Sequence, residues 1–201
     1  MDNSEKIILS LFDFSGIWSS FYKNNGYKVI QIDIKLGNDI FDIDEKYLDS
    51  IKPVYGILAA PPCTDTAVAG AKHFAAKDAD GRTQKSIEIF NKTLEIIKYC
   101  EPKFWCLEQP VSRLVTLIPE FKQYFKGYFQ PYHYGDPYSK KTALFGEFNF
   151  PKPTNIVQPK GMRPGQPPEW YSKVGGSSQA TKEYRSKTPL GFSLNFYLNN
   201  K

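Results

Sequence analysis

Cysteine and histidine are scarce in this 201-residue chain, which has three cysteines and two histidines. Cys63, Cys100 and Cys106 do not form the paired framework that disulfide-rich secreted domains use. Their spacings also differ from the common zinc-binding patterns, and only two histidines are available to help. We therefore expect no structural metal site and a reducing, cytoplasmic environment.

Long hydrophobic runs and a signal sequence are also absent. No segment approaches the roughly 18 consecutive apolar residues of a membrane span, and residues 1–6 lack the basic and apolar parts of a secretory signal. Hydrophobic residues make up 41% of the chain and charged residues 23%, as in globular proteins in general. The length suits one α/β domain. We expect a protein with no membrane partner.

Neither sign of charge dominates, since 26 lysines and arginines against 21 acids give a net charge of +5. This modest excess favours an anionic partner. Aromatic residues make up 15% of the chain, and in its C-terminal half they alternate with basic residues. Such a mixture is typical of proteins that bind single-stranded or extruded nucleotides, although many of the rings also serve a core.

Apolar runs of strand length alternate with segments of helical spacing in the first three quarters of the chain. The sequence predicts strands at residues 7–12, 28–34, 54–60, 104–107, 128–134 and 142–145, and a short strand or turn at 39–41. It predicts helices at residues 18–25, 83–100, 117–125 and 189–198. This alternation indicates an α/β fold with a mostly parallel sheet flanked by helices. Residues 64–82 lack a period, and we expect a mobile active-site loop there.

The strand at 54–60 ends abruptly at Pro61 and Pro62, and Cys63 follows at once. Because strand interiors exclude proline, the sheet ends here and the backbone turns stiffly. Ligands bind at the carboxyl edge of open α/β sheets, and a thiol on a rigid turn at that edge is placed for nucleophilic attack. The alternative is a buried cysteine that packs as a small apolar side chain.

Three further sites fall at strand ends. The first strand is followed by a loop with Ser15 and Gly16, which has fewer glycines than a usual nucleotide-binding loop. Asp33 ends the second strand, where an acid either accepts hydrogen bonds from ribose hydroxyls or forms a turn. Glu108 follows a run of Phe, Trp, Cys and Leu, and burying a carboxylate there is costly unless it has a partner or a task.

Five motifs follow one another along the chain: Pro61-Pro62-Cys63, Glu108, Tyr134-Gly135-Asp136-Pro137, Lys140-Lys141-Thr142 and the segment at 185–192. In this order they resemble the cytosine-5 DNA methyltransferase family. That family has a Pro-Pro-Cys nucleophile, a Glu-Asn-Val acid, a Tyr-Gly-x-Pro segment followed by basic residues, and a closing helical segment. The resemblance covers about residues 7–146 and 185–198 and is closest to the short, phage-type members. It implies a Rossmann-like, S-adenosylmethionine-dependent methyltransferase fold.

Several residues depart from the family pattern. Ser10 stands where the family often has an acid, Phe14 replaces the first glycine of the cofactor loop, and Gln-Pro follows Glu108 in place of Asn-Val. Family members that read a DNA sequence carry a large recognition domain. Here a short proline-rich segment at 147–184 lies between a catalytic core at 1–146 and a C-terminal helix at 185–201, which is expected to pack back on the core.

The resemblance also implies roles for individual residues. Cys63 is the expected nucleophile and Glu108 holds the base edge, while Lys141, or Lys140 beside it, supplies positive charge where the family has arginines. The other residues expected near the target base are Pro62, Tyr134 and Gly135. The residues expected around S-adenosylmethionine are Phe12, Asp13, Phe14, Ser15, Gly16, Ile17, Trp18, Asp33, Ile34, Asp39, Ile40 and Pro61. The alternative for Asp39 and the two lysines is a solvated loop position.

These roles imply methyl transfer to C5 of cytosine in DNA through a covalent Cys63 adduct, with the target base flipped out of the duplex. A phage-encoded enzyme would act in the host cytoplasm, and a partner protein would supply any missing sequence recognition. Phosphate contacts are expected from Lys160, Arg163, Lys173 and Lys182. Two alternatives stay open. The same chemistry acts on RNA or a nucleotide, or the chain is a decayed module that binds nucleic acid or a protein.

Overall fold

Six strands form one sheet in the computed structural model, which describes residues 2–159 and 179–201. They are β1 (Ile7–Leu11), β2 (Lys28–Ile32), β3 (Val54–Ala59), β4 (Phe104–Pro110), β5 (Phe125–Phe129) and β6 (Thr142–Glu147). Their order in the sheet is β2-β1-β3-β4-β6-β5. The first four in that order are parallel, and β6 runs antiparallel to both β4 and β5. The expected Rossmann-like fold with a mostly parallel sheet is confirmed.

Helices cover both faces of this sheet. They are α1 (Ser20–Asn24), α2 (Glu45–Ile51), α3 (Phe74–Ala79), α4 (Arg82–Cys100), α5 (Leu114–Leu117), α6 (Gln179–Ser186) and α7 (Leu190–Asn199). Because successive strand residues point to opposite faces, Leu107 packs in one apolar cluster with Phe90 of α4, and Cys106 packs in the other with Phe196 of α7. Within the described ranges, no helix has both the length and the apolarity that crossing a membrane requires.

The first turn of α7 lies against the segment that joins β5 and β6. Phe192 stacks on Phe129 with 3.8 Å between ring centroids, and the Gly191 N–H donates to Asp136 Oδ2 over 2.9 Å. A side chain at Gly191 would collide with the Tyr134 carbonyl oxygen, so this close approach requires glycine. These contacts bring the residues just before α7 to the carboxyl edge of the sheet.

Three segments form short helices where the sequence predicts a loop, a strand or turn, or no element. Residues 64–82, expected to be a loop, contain a 3₁₀ helix at Val68–His73 followed directly by α3. The strand or turn expected at 39–41 is a 3₁₀ helix at Ile40–Asp42. No helix is predicted at α2 from the sequence, yet the Asp44 side chain caps this helix by accepting from the Tyr47 N–H, as N-cap acids do.

Prolines explain two further differences. The helix expected at 117–125 is interrupted, because α5 ends at Leu117 and Pro119 begins a 3₁₀ helix at Pro119–Tyr124. A proline lacks the N–H that a continuing helix or strand needs. The strand expected at 128–134 ends at Phe129 for the same reason, since Pro131 begins a 3₁₀ helix. Lys160, Arg163 and Lys173 lie outside the described residues, as does the side chain of Lys182.

Candidate active site

β3 and β4 are parallel neighbours, and their pairing ends at Ala59 and Leu107, at the carboxyl edge of the sheet. The Pro-Pro-Cys turn therefore leaves the sheet beside Glu108, which lies where β4 continues past β3 and pairs with β6. The Gln109 side chain is fully buried and donates from Nε2 to the Pro61 carbonyl oxygen over 2.7 Å. This bond ties the turn that carries Cys63 to the strand that carries Glu108.

A lysine and a threonine close on Glu108, whose side chain is only 6% exposed. Its Oε1 accepts from Lys140 Nζ over 3.2 Å, and its Oε2 accepts from Thr188 Oγ1 over 3.1 Å. Lys140 Nζ also donates to the Lys187 carbonyl oxygen over 3.4 Å. Three segments thus meet at one carboxylate: β4, the loop before β6 and the residues before α7. A buried carboxylate with two donors satisfies the condition under which its burial is tolerated.

The two expected lysines point in different directions. Lys140 reaches Glu108, whereas Lys141 is exposed and its Nζ lies 4.3 Å from the centre of the Tyr128 ring on the edge strand β5. The structure therefore places Lys140, and not Lys141, at the carboxylate. Cys63 is brought to the same edge as this pair by the turn after β3.

The other residues expected near the target base divide between surface and core. Pro62 is exposed beside Cys63. Tyr134 is buried, and its hydroxyl donates to the Pro151 carbonyl oxygen over 2.7 Å. Gly135 has a φ of 95°, a conformation that favours glycine. Tyr134 and Gly135 thus shape the loop that delivers Lys140, with the tyrosine ring inside the protein.

The thiol of Cys63 is half-buried between charges of both signs. The pKa of this thiol lies above its ordinary value: burial is the largest cause, the nearby Lys140 ammonium opposes it, and the carboxylates of Glu108 and Asp65 add to it. Lys140 is therefore the neighbour that favours the thiolate, which is the nucleophilic form of cysteine.

The loop after β1 is folded around the buried carboxylate of Asp13. Asp13 accepts from Ser10 Oγ over 3.0 Å, from Ser15 Oγ over 3.3 Å, and from the N–H and Oγ of Ser19 over 3.2 and 2.8 Å. Burial raises the pKa of this carboxyl, and the hydrogen bonds from the serines lower it. A carboxylate is thus held beside Ser10, the position where the resemblance predicts an acid.

The remaining residues of this loop lie partly at the surface and partly in the core. Phe12 and Gly16 adopt left-handed φ values of 61° and 65°, so the chain turns sharply on either side of Asp13. Phe14 is 45% exposed, whereas Trp18 has no exposed surface and packs its ring edge-on against Phe196. Ile17 is half-buried. The Trp18 side chain therefore offers no surface to a ligand.

The end of β2 carries two capping carboxylates. Asp33 Oδ1 accepts from the Lys35 N–H over 2.9 Å, and Asp39 Oδ1 accepts from the Phe41 N–H over 3.1 Å. Ile34 between them is 72% exposed, and Ile40 is buried. An exposed apolar side chain beside carboxylates fits an adenosine, whose base needs apolar contacts and whose ribose hydroxyls need acceptors. The residues present therefore fit S-adenosylmethionine.

A cavity of about 180 Å³ links the loop after β1 to the Glu108 cluster, which consists of Glu108, Gln109, Lys140 and Thr188. Its walls include Ile17 from the loop after β1, Asp136, Lys140 and Thr188. A larger depression, about 330 Å³, lies at the opposite edge of the sheet around Tyr55 and touches none of these residues. The smaller cavity is the one adjacent to the polar groups described above.

Two residues of the cluster have no role predicted from the sequence. Gln109 is noted there only as a departure from the family pattern, and Thr188 only as part of the closing segment. Their signal is positional, since Gln109 follows Glu108 directly and Thr188 precedes Pro189 at the start of α7. What each side chain reaches depends on the packing of strands and helices that are distant in sequence.

No family model matches the chain. The chain is 28% identical over 176 residues to the type II methyltransferase M.MthTI of Methanothermobacter thermautotrophicus, an alignment that covers 74% of this chain and 46% of that relative. Its structure matches that of a putative DNA modification methyltransferase encoded within a prophage, from E. coli, with a TM-score of 0.50 and 13% identity. That match covers 76% of this chain and 52% of the other.

The chain therefore spans about half the length of the proteins it matches. The first match confirms a resemblance to methyltransferases in sequence, and the second confirms it in fold. The choice of cytosine C5 and the covalent role of Cys63 stay predictions.

Proposed function

We propose that the protein transfers a methyl group from S-adenosylmethionine to C5 of cytosine in DNA through a covalent adduct with Cys63. The observation that supports this most is the convergence of Cys63, Glu108 and Lys140 at one sheet edge, with Lys140 3.2 Å from the Glu108 carboxylate. A nucleophile, an acceptor for the base edge and a positive charge are the three groups that the reaction requires.

The first step is addition of the Cys63 thiolate to C6 of the ring. A carbon–sulfur bond forms, and the electron pair of the C5–C6 double bond moves to make C5 nucleophilic. Lys140 favours the thiolate before attack. N3 takes a proton from solvent as C6 is attacked and gives it back when the thiolate leaves. Glu108 accepts from this N3–H and from the exocyclic amine, which stabilises the charge that develops there.

When bound, S-adenosylmethionine would supply an electrophilic methyl group to C5, and its sulfonium sulfur would keep the electron pair of the broken sulfur–methyl bond. On the protein side, Phe14, Ile34 and Asp33 are the residues proposed to hold it, because they are accessible at the ends of β1 and β2. The C5 proton then leaves to solvent. Its electron pair restores the C5–C6 double bond and expels the Cys63 thiolate, so that the free enzyme is regenerated.

The segment at 147–184 is too short for a large recognition domain, which supports the proposal that this chain alone reads little of the DNA sequence around its target. We propose that the core at 1–146 and the helical end at 185–201 carry the chemistry, and that a partner supplies any further recognition. A flipped-out cytosine is required, because C6 is inaccessible inside a stacked duplex. Binding to DNA would then rest largely on phosphate contacts and fall steeply with salt.

The same geometry fits cytosine in RNA or in a nucleotide, which is the second candidate substrate class. One experiment separates the candidates: methyl transfer from labelled S-adenosylmethionine to duplex DNA, RNA and dCMP, each at equal cytosine concentration. We expect label in DNA. Label in RNA or dCMP alone would replace the DNA proposal, and cofactor binding by calorimetry without any transfer would support a decayed binding module instead.

A further inference from the structure

The segment after Cys63 is joined to the segment after β4 by backbone hydrogen bonds. Ala67 and Ser112 form an isolated antiparallel bridge, and the Arg113 N–H donates to the Thr66 carbonyl oxygen over 3.0 Å. The Cys63 carbonyl oxygen itself accepts from the Ala67 N–H over 2.9 Å. The backbone that follows the thiol is therefore fixed to the segment after β4.

A buried lysine, Lys77, contacts the first of these two segments. The Lys77 side chain, on α3, is 7% exposed, and its Nζ lies 3.3 Å from Asp65 Oδ1. Lys77 Nζ also donates to the Thr64 carbonyl oxygen. Lysine is almost never buried without a partner, and a buried ion pair requires that both charges be matched. Lys77 thus binds both residues that follow Cys63, the first through its carbonyl oxygen and the second through its carboxylate.

A second cation fixes α3 in place. The Arg113 guanidinium donates to both carboxylate oxygens of Asp78 over 2.9 and 2.6 Å, and to Thr83 Oγ1 over 2.8 Å. It also stacks on the Phe74 ring, 3.7 Å from the ring centre. Since Asp78 follows Lys77 in the same helix, this clamp holds Lys77 at Asp65.

The charges around Cys63 show what Lys77 compensates. The groups that act on its thiol are the Lys140 ammonium and the carboxylates of Glu108 and Asp65. Lys140 is already paired with Glu108. Asp65, whose side chain is 18% exposed, has Lys77 as its ion-pair partner. The Arg82 guanidinium also interacts with Asp65, but it is itself paired with Asp80, so without Lys77 the negative charge of Asp65 would act more strongly on the thiol.

We propose that Lys77 is a positioning residue that acts through Asp65: it neutralises that carboxylate and holds it in place, so that Cys63 ionises to the thiolate more readily than it would beside an unpaired Asp65. The proposal deepens the function proposed above, because a thiolate is what attack on cytosine C6 needs. Its test does not require that function, since the reactivity of a thiol is measurable with a simple electrophile.

The probe is iodoacetamide, with which the Cys63 thiolate forms a carbon–sulfur bond and releases iodide. The alkylation rate of the Cys63 peptide is followed by mass spectrometry from pH 6 to pH 10. In Lys77→Met we expect a higher apparent pKa and roughly three- to ten-fold slower alkylation at pH 7.5, as for loss of one nearby countercharge. The matched control is Lys72→Met, because Lys72 is exposed in the same segment; its rate profile should equal that of the wild type.

The Asp65→Asn variant separates electrostatics from simple loosening. Removal of the carboxylate leaves Lys77 as an extra positive charge, so alkylation should be faster than in the wild type at pH 7.5. In Lys77→Met/Asp65→Asn the rate should return to within about two-fold of the wild type, because both charges of one pair are gone.

An Asp65→Asn rate at or below the wild type, or a Lys77→Met profile equal to that of Lys72→Met, overturns the proposal. Should Lys77→Met fail to fold by circular dichroism, Asp65→Asn alone decides. If the alkylation rates of the Lys77 and Asp65 variants change as expected but the wild-type protein transfers no methyl group, the proposed function is contradicted and the role of Lys77 stands.

Discussion

Gln109 donates from its side-chain amide to the Pro61 carbonyl oxygen over 2.7 Å, across the two strand ends that carry the candidate nucleophile and the candidate acid. Gln109 is fully buried. Its Oε1 has no hydrogen-bond partner among residues 2–159 and 179–201. This unpaired buried oxygen lowers the stability of the core. Such a loss is expected where a geometry serves function more than stability.

Replacing Gln109 by leucine should therefore lower activity more than stability. The change removes the donor to Pro61 but also removes an unpartnered oxygen, so the two effects on stability partly offset and we expect a loss of about 1 kcal/mol. Methyl transfer should fall by at least ten-fold, because the turn that carries Cys63 loses its tie to β4. Urea unfolding and the labelled transfer assay measure the two effects. Full activity in a normally folded Gln109→Leu protein would contradict this role.

Lys140 and Lys141 form a natural matched pair for mutation. Lys140→Ala leaves the buried Glu108 without its cation, which should cost about 3 kcal/mol of stability, and it removes the charge that favours the Cys63 thiolate. Lys141→Ala removes an exposed ammonium over Tyr128, and it should change stability by less than about 0.5 kcal/mol. Methyl transfer should be lost only in the first variant. Equal losses in both would show that Lys141 shares the catalytic role.

The strands could be predicted from the sequence because their apolar runs are fixed locally. β1, β3 and β6 lie within two residues of the predicted segments. The helix predicted at 117–125 and the strand predicted at 128–134 are wrong in detail, since Pro119 and Pro131 redirect the chain into 3₁₀ helices. Residues 64–82 lack a periodic pattern because ion pairs and backbone bonds to a distant segment hold them, and such contacts leave no local signature.

The candidate site was predictable as a set of strand ends and not as a set of contacts. The Pro-Pro-Cys turn and Glu108 stand out in the sequence as breaks in apolar strands. Which of two adjacent lysines turns inward is decided by the backbone before β6, where the Lys140 N–H donates to Gln130 Oε1. Thr188 meets Glu108 from 80 residues away. No spacing rule reaches that far.

The buried carboxyl of Asp13 predicts a pH dependence of stability. Burial raises the pKa of this carboxyl above its ordinary value, so the folded state binds this proton more tightly than the unfolded state does. The stability contributed by the protonated form is fully present below the unfolded pKa and is lost as pH rises through the folded pKa. Asp13→Asn keeps an acceptor for the serines without the charge. Compared with the wild type by thermal unfolding, it should gain more at pH 7 than at pH 4; an equal difference at both pH values would contradict this.

Asp33 provides the test of the cofactor site. Asp33→Ala should weaken S-adenosylmethionine binding by about 1–3 kcal/mol, the worth of hydrogen bonds to a charged acceptor. Asp33→Asn retains an acceptor for the Lys35 N–H, which separates loss of the cap from loss of a ribose contact. The control is Asp42→Ala, since Asp42 lies exposed nearby in the chain. Unchanged calorimetric affinity in Asp33→Ala would remove the assignment.

The most direct test of the account is covalent trapping on DNA that contains 5-fluorocytosine, in the presence of S-adenosylmethionine. Fluorine does not leave C5 as a proton does, so the Cys63 adduct should persist and migrate as a protein–DNA species on a denaturing gel. Cys63→Ser should abolish that species, because a hydroxyl is a far poorer nucleophile at neutral pH. Cys100→Ser and Cys106→Ser should retain it, since both thiols are buried and burial raises their pKa values. An adduct that survives Cys63→Ser, or methyl transfer that proceeds normally in that variant, would contradict the account.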